Sequence, residues 1–346
     1  MRQKVLFSVF ILVGLVSCCL TGCKEKISTA SSAFYYWKTT FLLDKPQSAL
    51  LNDAAGNQLY LRLFDVIWDE QKQDVRPNAI VSINQDIHQF KVIPVIYITN
   101  RTFEKLTPQQ TVPLAKKINQ LINDITGQNK ISYQAVQIDC DWSTGTRNRY
   151  FAFLKAFKEL NKKQLEATIR LHQIKYADRT GVPPVDKGLL MFYNMGKISA
   201  GLKQRNSIYN TTDAAKYVRY LPLYQLPLDV ALPLFSWAIQ IREGKVIQIY
   251  GKIGQKELSD TANFQQTGQS NIYKAKRSFY LSGIYIKEND LFKLETVNRK
   301  LLEKAADQLS KHLAHLEKRN IIYYELSASV ASELEAKDIK EISAHF

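Results

Sequence analysis

Apolar and polar positions follow two different periods along this chain. Short apolar or β-branched runs such as VIPVIYIT and AVQIDCD recur, and between them lie longer segments whose apolar residues return every three or four positions. The runs predict strands at 34–39, 59–66, 92–99, 135–141, 167–173, 188–193, 228–235 and 321–326. The longer segments predict helices at 107–125, 149–161, 213–220 and 295–318. Several of the runs have no polar face, as expected of parallel strands buried on both sides. Eight such strands with helices between them point to an α/β chain, a (β/α)8 TIM barrel. A doubly wound open sheet is the rival, but no Gly-rich nucleotide loop follows an early strand.

The alternation breaks at 238–289. AIQIREGKVIQIYGKI reads as a hairpin turning at Glu243-Gly244, residues 255–271 are polar and read as a mobile loop, and RSFYLSGIYI is again extended. This segment is expected as an insertion between strands seven and eight, over the mouth of the barrel.

The chain opens MRQKVLFSVFILVGLVSCCLTGC. Two basic residues precede an apolar run too short for a permanent span of ~20 residues. Leu20-Thr21-Gly22-Cys23 resembles a bacterial lipobox, so residues 1–22 are expected to be a lipoprotein signal peptide. Cys23 would then carry diacylglycerol and palmitate, residues 23–33 would be a tether, and 34–346 the barrel. The result would be a membrane-anchored lipoprotein of the cell envelope. Lys24 lacks the aspartate that retains such proteins inside, which favours the outer membrane. After cleavage only Cys23 and Cys140 remain, so no disulfide is available within the mature chain, and Cys140 reads as a packed thiol.

The formal charge of +15 falls to +13 once Arg2 and Lys4 leave with the signal. Lysines and arginines are scattered rather than clustered, so nucleic acid is not an expected partner. Anionic lipid or an anionic glycan accounts for the excess more simply.

In a barrel of this kind the chemistry sits at the C-terminal ends of the strands. Those ends carry Trp37 (strand one), Asp65 and Trp68 (two), Asp139, Asp141 and Trp142 (four), and Arg170 and His172 (five). They also carry Tyr193 and Asn194 (six), Trp237 (seven) and Glu325 (eight). The period of two puts Asp139 and Asp141 on one face roughly 7 Å apart, needing a counter-charge that Arg170 can supply. All four tryptophans fall at strand ends, where indole faces can stack on sugar rings and nearby carboxylates and amides can bond hydroxyls. The plain alternative is a structural Asp–Arg network with tryptophans packed on rim loops. No histidine pair lies on a catalytic strand, and no metal or other cofactor is expected.

IDCDWS, with the aromatic-rich helix that follows, resembles the strand-four signature D-x-x-D-x-D-x-E of family-18 glycoside hydrolases, the chitinase-like barrels. MFYN at 191–194 is similar to their strand-six M-x-Y-D. Asp139 and Asp141 match the second and third aspartates, while Val136 stands at the first position and Ser143 at the catalytic glutamate. A serine cannot protonate a glycosidic oxygen as a carboxylic acid does. The chain is also similar to a group of bacterial envelope lipoproteins with a D-x-D strand and an R-x-x-Y helix start, here Arg147 to Tyr150. That likeness implies a barrel and little about chemistry.

The expectation is therefore a lipid-anchored, glycoside-hydrolase-like barrel acting on a carbohydrate. Asp141 would be its acid or base, Asp139 and Arg170 would tune it, and Glu325, Asp65 or Asp69 would be the second carboxylate. Separations of ~5–5.5 Å would mean retention and ~6.5–9.5 Å inversion. The alternatives are a glycan-binding lipoprotein without catalysis, or an assembly lipoprotein whose cleft meets a protein partner.

Overall fold

A computed structural model describes residues 29–346, without the side chains of residues 29, 331 and 332. The expected signal peptide, Cys23 and the first part of the tether lie outside the described residues.

Eight parallel strands close into a barrel: β1 (Thr29–Tyr36), β2 (Gln58–Asp69), β3 (Lys91–Ile98), β4 (Ala135–Asp139), β5 (Gln164–Arg170), β6 (Lys187–Met191), β7 (Leu228–Pro233) and β8 (Lys318–Tyr324). Closure is the pairing of β1 with both β8 and β2. Every predicted strand is present, with boundaries shifted by a few residues. The polar residues 29–33, expected as tether, belong to β1, because their backbone pairs in register with Lys318 to Ile322. β5 stops at Arg170, and the chain turns at once into a helix (Leu171–Lys175) instead of running to 173. An antiparallel return strand, Asp74–Asn78, hangs on the extended end of β2.

The largest core lies between the barrel and its helices. α1 (Lys45–Ala55) starts on Asp44, whose carboxylate accepts the Gln47 N–H, and ends at Gly56, which takes the left-handed conformation (φ 52°). α2 (Thr111–Gln128) and α3 (Arg147–Asn161) turn Ile118, Ile122, Phe153 and Phe157 onto the outer faces of the strands. The expected helix at 295–318 is shorter, α4 (Arg299–Ser310), starting on Asn298; Glu295 belongs to a strand. Inside the barrel a second, smaller core stacks Ala33, Tyr35, Tyr60, Val95, Leu189 and Ile322.

The insertion is a five-stranded antiparallel sheet between β7 and β8, in the order Lys245–Tyr250, Trp237–Arg242, Leu291–Glu295, Ile272–Ala275, Phe264–Gln266. It turns at Glu243 (φ 51°) and Gly244 (φ 72°), as the hairpin pattern predicts. The polar stretch 255–271 is ordered rather than a loose loop: it holds a short helix (Gln255–Leu258) and the edge strand, whose Phe264 packs with Phe292 in the insertion's own core. Among the described residues, no helix is long and apolar enough to cross a membrane.

Candidate functional site

Three adjacent strands bring one row of polar side chains into the barrel near its mouth. Asp65 on β2 stands in register with Tyr97 on β3, and Tyr97 with Asp139 on β4. Strict alternation would send Arg62 and Asp65 to opposite faces. A bulge between Arg62 and Phe64 inserts one residue, so both enter the lumen and approach to 3.5 Å. That contact is too long for a well-made hydrogen bond. Arg62 Nε and Asp65 Oδ1 have no hydrogen-bond partner among the described residues, and the guanidinium lies over the Trp37 ring at 5.5 Å. Burial raises the Asp65 carboxyl, and the Arg62 charge opposes it.

Asp139 is 6% exposed and accepts a hydrogen bond from the Thr168 hydroxyl at 2.6 Å. Burial pushes its carboxyl up to about 7; the Thr168 bond and Arg170 oppose the rise, and Asp141 adds to it. Asp141, one step nearer the mouth and half-buried, is held by Arg170 in a bidentate pair, Nε and Nη2 each at 2.5 Å from one oxygen. Arg170 is thus the counter-charge expected from the sequence. The tuning falls differently from the expectation: Asp141 is clamped, and Asp139 is the carboxyl moved toward neutrality. The facing Tyr97 phenol is pushed up to about 12, by burial first and then by the Asp139 and Asp141 charges.

Beneath this layer runs a buried polar chain. The Tyr35 hydroxyl donates to Gln137, and Gln137 donates to Glu166 (3.2 Å), which also accepts from Tyr60 (3.1 Å). Burial pushes Glu166 up to about 7 as well, with the Asp229 charge adding to it.

Against the polar row lies a continuous aromatic floor. Tyr97 meets Trp37 (6.4 Å between ring centroids), Trp37 meets Tyr324 (5.7 Å), Tyr324 meets Phe235 (5.9 Å) and Phe235 meets Trp237 (5.4 Å). Tyr193 stacks on Tyr324 from below. Trp37, Trp237 and Tyr193 are therefore where the sequence placed them. Tyr97, Phe235 and Tyr324 were missed, although their alternation with outward-facing Ile98, Leu234 and Tyr323 was the signal that could have found them.

Glu295 anchors one edge of this floor. Buried in the insertion, it accepts from Lys293 (2.7 Å), the Trp237 indole (3.0 Å), and the Ser207 N–H (2.9 Å) and hydroxyl (2.5 Å). These bonds hold its carboxyl below the usual range despite burial. It ties the loop after β6 to the insertion and fixes the indole.

Trp142, Trp68 and His172 lie away from this row and floor, while Glu325 and Asn194 stand just past their strand ends. Trp142 is 1% exposed and points outward into the barrel–helix core, stacked on Tyr150 and donating to the Thr180 carbonyl; it has no face to offer a ligand. Trp68 lies on the hairpin opposite Val75, outside the aromatic floor. His172 is on the surface helix after β5, with burial and the neighbouring Arg170 lowering its imidazole, rather than on the lumen face of a strand. Glu325 follows the last residue of β8 and accepts the Trp37 N–H; its carboxyl is raised by burial and countered by Lys38 and Arg62. It neighbours Tyr36 of the outer core on one side and Arg62 of the lumen on the other. Asn194 is exposed in a left-handed turn (φ 55°) just beyond the strand. Ser143 is exposed, its N–H donating to the Thr146 hydroxyl, which in turn donates to Asn100. Cys140 packs in the outer core, away from the aspartates. Among the described residues, no group of three or more His, Cys, Asp or Glu side chains is placed to hold a metal ion.

No family model matches the chain, and no curated protein does. Solved structures do. The spore cortex-lytic enzyme SleL of Bacillus cereus superposes over 92% of this chain and 74% of its own, at 13% identity and a TM-score of 0.54. The chitinase-like agglutinin RobpsCRA from Robinia pseudoacacia does so over 90% and 99%, at 10% identity and 0.53. Human YKL-39, described as a pseudo-chitinase with retained chitooligosaccharide binding, matches over 92% and 99%, at 10% identity and 0.51. At such identities the likeness is one of fold. With the closed parallel barrel it establishes that this chain has the (β/α)8 barrel fold that these chitinase-like structures share.

Proposed function

We propose that this protein is a lipid-anchored component of the cell envelope whose barrel mouth engages a glycan and whose strand-end carboxylates act on it. The observation that carries this reading is the aromatic floor from Tyr97 to Trp237, lying against a row of aspartates and arginines. Aromatic faces accept the apolar faces of sugar rings, and charged groups beside them bond hydroxyl and acetamido groups. Chitooligosaccharides are the first class to try, because YKL-39 binds them on this fold. Acylation of Cys23 would supply the anchor, and the outer membrane is the proposed site.

In catalysis Asp139 is the proton donor, since a carboxyl raised to about 7 stays partly protonated at neutral pH. The ion-paired Asp141 beside it supports developing positive charge on the sugar. A second reading, binding without turnover, has one observation in its favour: an exposed Ser143 where the family carries its acid. Incubation with a panel of N-acetylglucosamine oligomers and envelope glycans, read by mass spectrometry and calorimetry, separates the two. New products establish the enzyme. Saturable binding without products establishes the second reading, and neither result defeats both.

A further inference from the structure

The end of the barrel opposite the mouth is ringed by lysines. Lys91, Lys187 and Lys318 open β3, β6 and β8, Lys130 stands in the turn before β4, and Lys162 and Lys163 directly precede β5. Two recesses of about 710 and 730 Å³ lie among them and share Gln164 and Lys187, forming one basin across the barrel floor. Seven lysines and three carboxylates line it. Two of the three carboxylates are already engaged, Asp186 by Lys158 at 2.5 Å and Glu166 by Tyr60 and Gln137; Glu159 is exposed and leaves the rim net positive. Lys187 turns inward to Asp229 at 2.9 Å, while Lys91, Lys130, Lys162, Lys163 and Lys318 are exposed, Lys163 with its ammonium 5.8 Å from the centre of the Tyr133 ring.

The chain enters the fold at this rim, with Thr29 in register with Lys318. Five residues lie between it and Cys23, an extended reach of at most about 22 Å. Attraction of lysine to anionic lipid dies away over a Debye length, ~8 Å at physiological salt, and a tether of this length lets the lysines come within it. We propose that the basic floor docks on an anionic phospholipid surface, turning the mouth away from the membrane. The proposal rests on the anchored reading above for its tether; the charge on the floor does not depend on it.

The test uses the chain from Lys24 onward, which holds all eight barrel strands, sedimented with vesicles of phosphatidylcholine with or without phosphatidylglycerol. Binding is expected only with the anionic lipid and should weaken as salt rises. Changing Lys91, Lys162, Lys163 and Lys318 together to Glu should weaken it at least about tenfold. The same change at Lys245, Lys252, Lys256 and Lys274 on the insertion should leave it intact, with thermal melts checking that both variants fold. Equal binding to neutral vesicles, equal loss in the two variants, or no loss in the first overturns the proposal. So does a charge-dependent affinity for anionic polysaccharide without affinity for vesicles. Palmitate labelling of the full chain, with Cys23→Ala as control, tests the anchor separately, because its failure leaves the vesicle result unchanged.

Discussion

Arg170 grips both oxygens of Asp141 at 2.5 Å, and so takes for itself the carboxylate that stands nearest the barrel mouth. Asp139, two positions earlier on the same face, is left with one neutral donor, the Thr168 hydroxyl. The difference divides the two aspartates between an ion pair and a buried acid close to neutrality.

Asp139→Asn keeps the Thr168 bond and removes the titrating proton. If the barrel hydrolyses a glycan, turnover should fall about 100-fold or more while affinity stays within a few-fold. Full activity in this variant would remove Asp139 from the proton-transfer role.

Stability should depend on pH through the same group. A carboxyl whose pKa is raised on folding holds its proton in the folded state across a window where the unfolded chain has lost it. Stability is therefore highest at low pH and declines as pH rises from about 4 to about 7, by up to ~1.4 kcal/mol per unit for each such group. Asp139 and Glu166 both contribute. Carboxyls held low, such as Glu295, act below this window, and His172 opposes the trend only below its ordinary value. Thermal melts from pH 5 to 8 should show a declining midpoint, and Asp139→Asn should flatten the decline; an unchanged slope would refute the assignment.

The two tryptophans on opposite sides of the barrel wall should separate cleanly. Trp142→Ala empties a buried site and should cost ~3–5 kcal/mol in urea unfolding. Trp37→Ala should leave most of the stability and weaken glycan binding at least about tenfold. The reverse pattern would place the sugar platform elsewhere.

Glu295 is a positioning residue. Glu295→Gln keeps the shape but loses the Lys293 ion pair and weakens the hold on Trp237. Indole fluorescence should shift, glycan affinity should drop, and the Lys293 ammonium left buried without its partner should cost ~3–5 kcal/mol of stability. A normal affinity with a shifted spectrum would show that Trp237 does not touch the sugar.

At the closed end, Asp229 joins three strands, accepting from Lys187 on β6 at 2.9 Å and from the Asn320 N–H and amide on β8 at 2.8 and 2.9 Å. Asp229→Ala strands a buried ammonium and a backbone donor and should cost ~3–5 kcal/mol. A loss under ~1 kcal/mol by chemical denaturation would mean that water replaces the carboxylate there.

The eight strands were legible because each is a local apolar run bounded by polar turns, and their number with helices between them pointed to a barrel. Asp139, Asp141 and Arg170 were legible too, since the alternation along β4 and β5 is a property of each strand alone. The sequence also set the I′-type turn at Glu243-Gly244, which needs two residues tolerant of positive φ. Tertiary structure decided what local pattern cannot carry. Alternation says that Asp141 and Trp142 point to opposite faces, but only closure of the sheet says which face is lumen, and it sent Trp142 into the outer core. The bulge that turns Arg62 and Asp65 the same way arises from pairing with β3. Glu295 meets Ser207, 88 positions away in sequence, and Trp237, 58 positions away. Such meetings depend on where the insertion packs against the loop after β6, a long-range contact with no signature in either segment read alone.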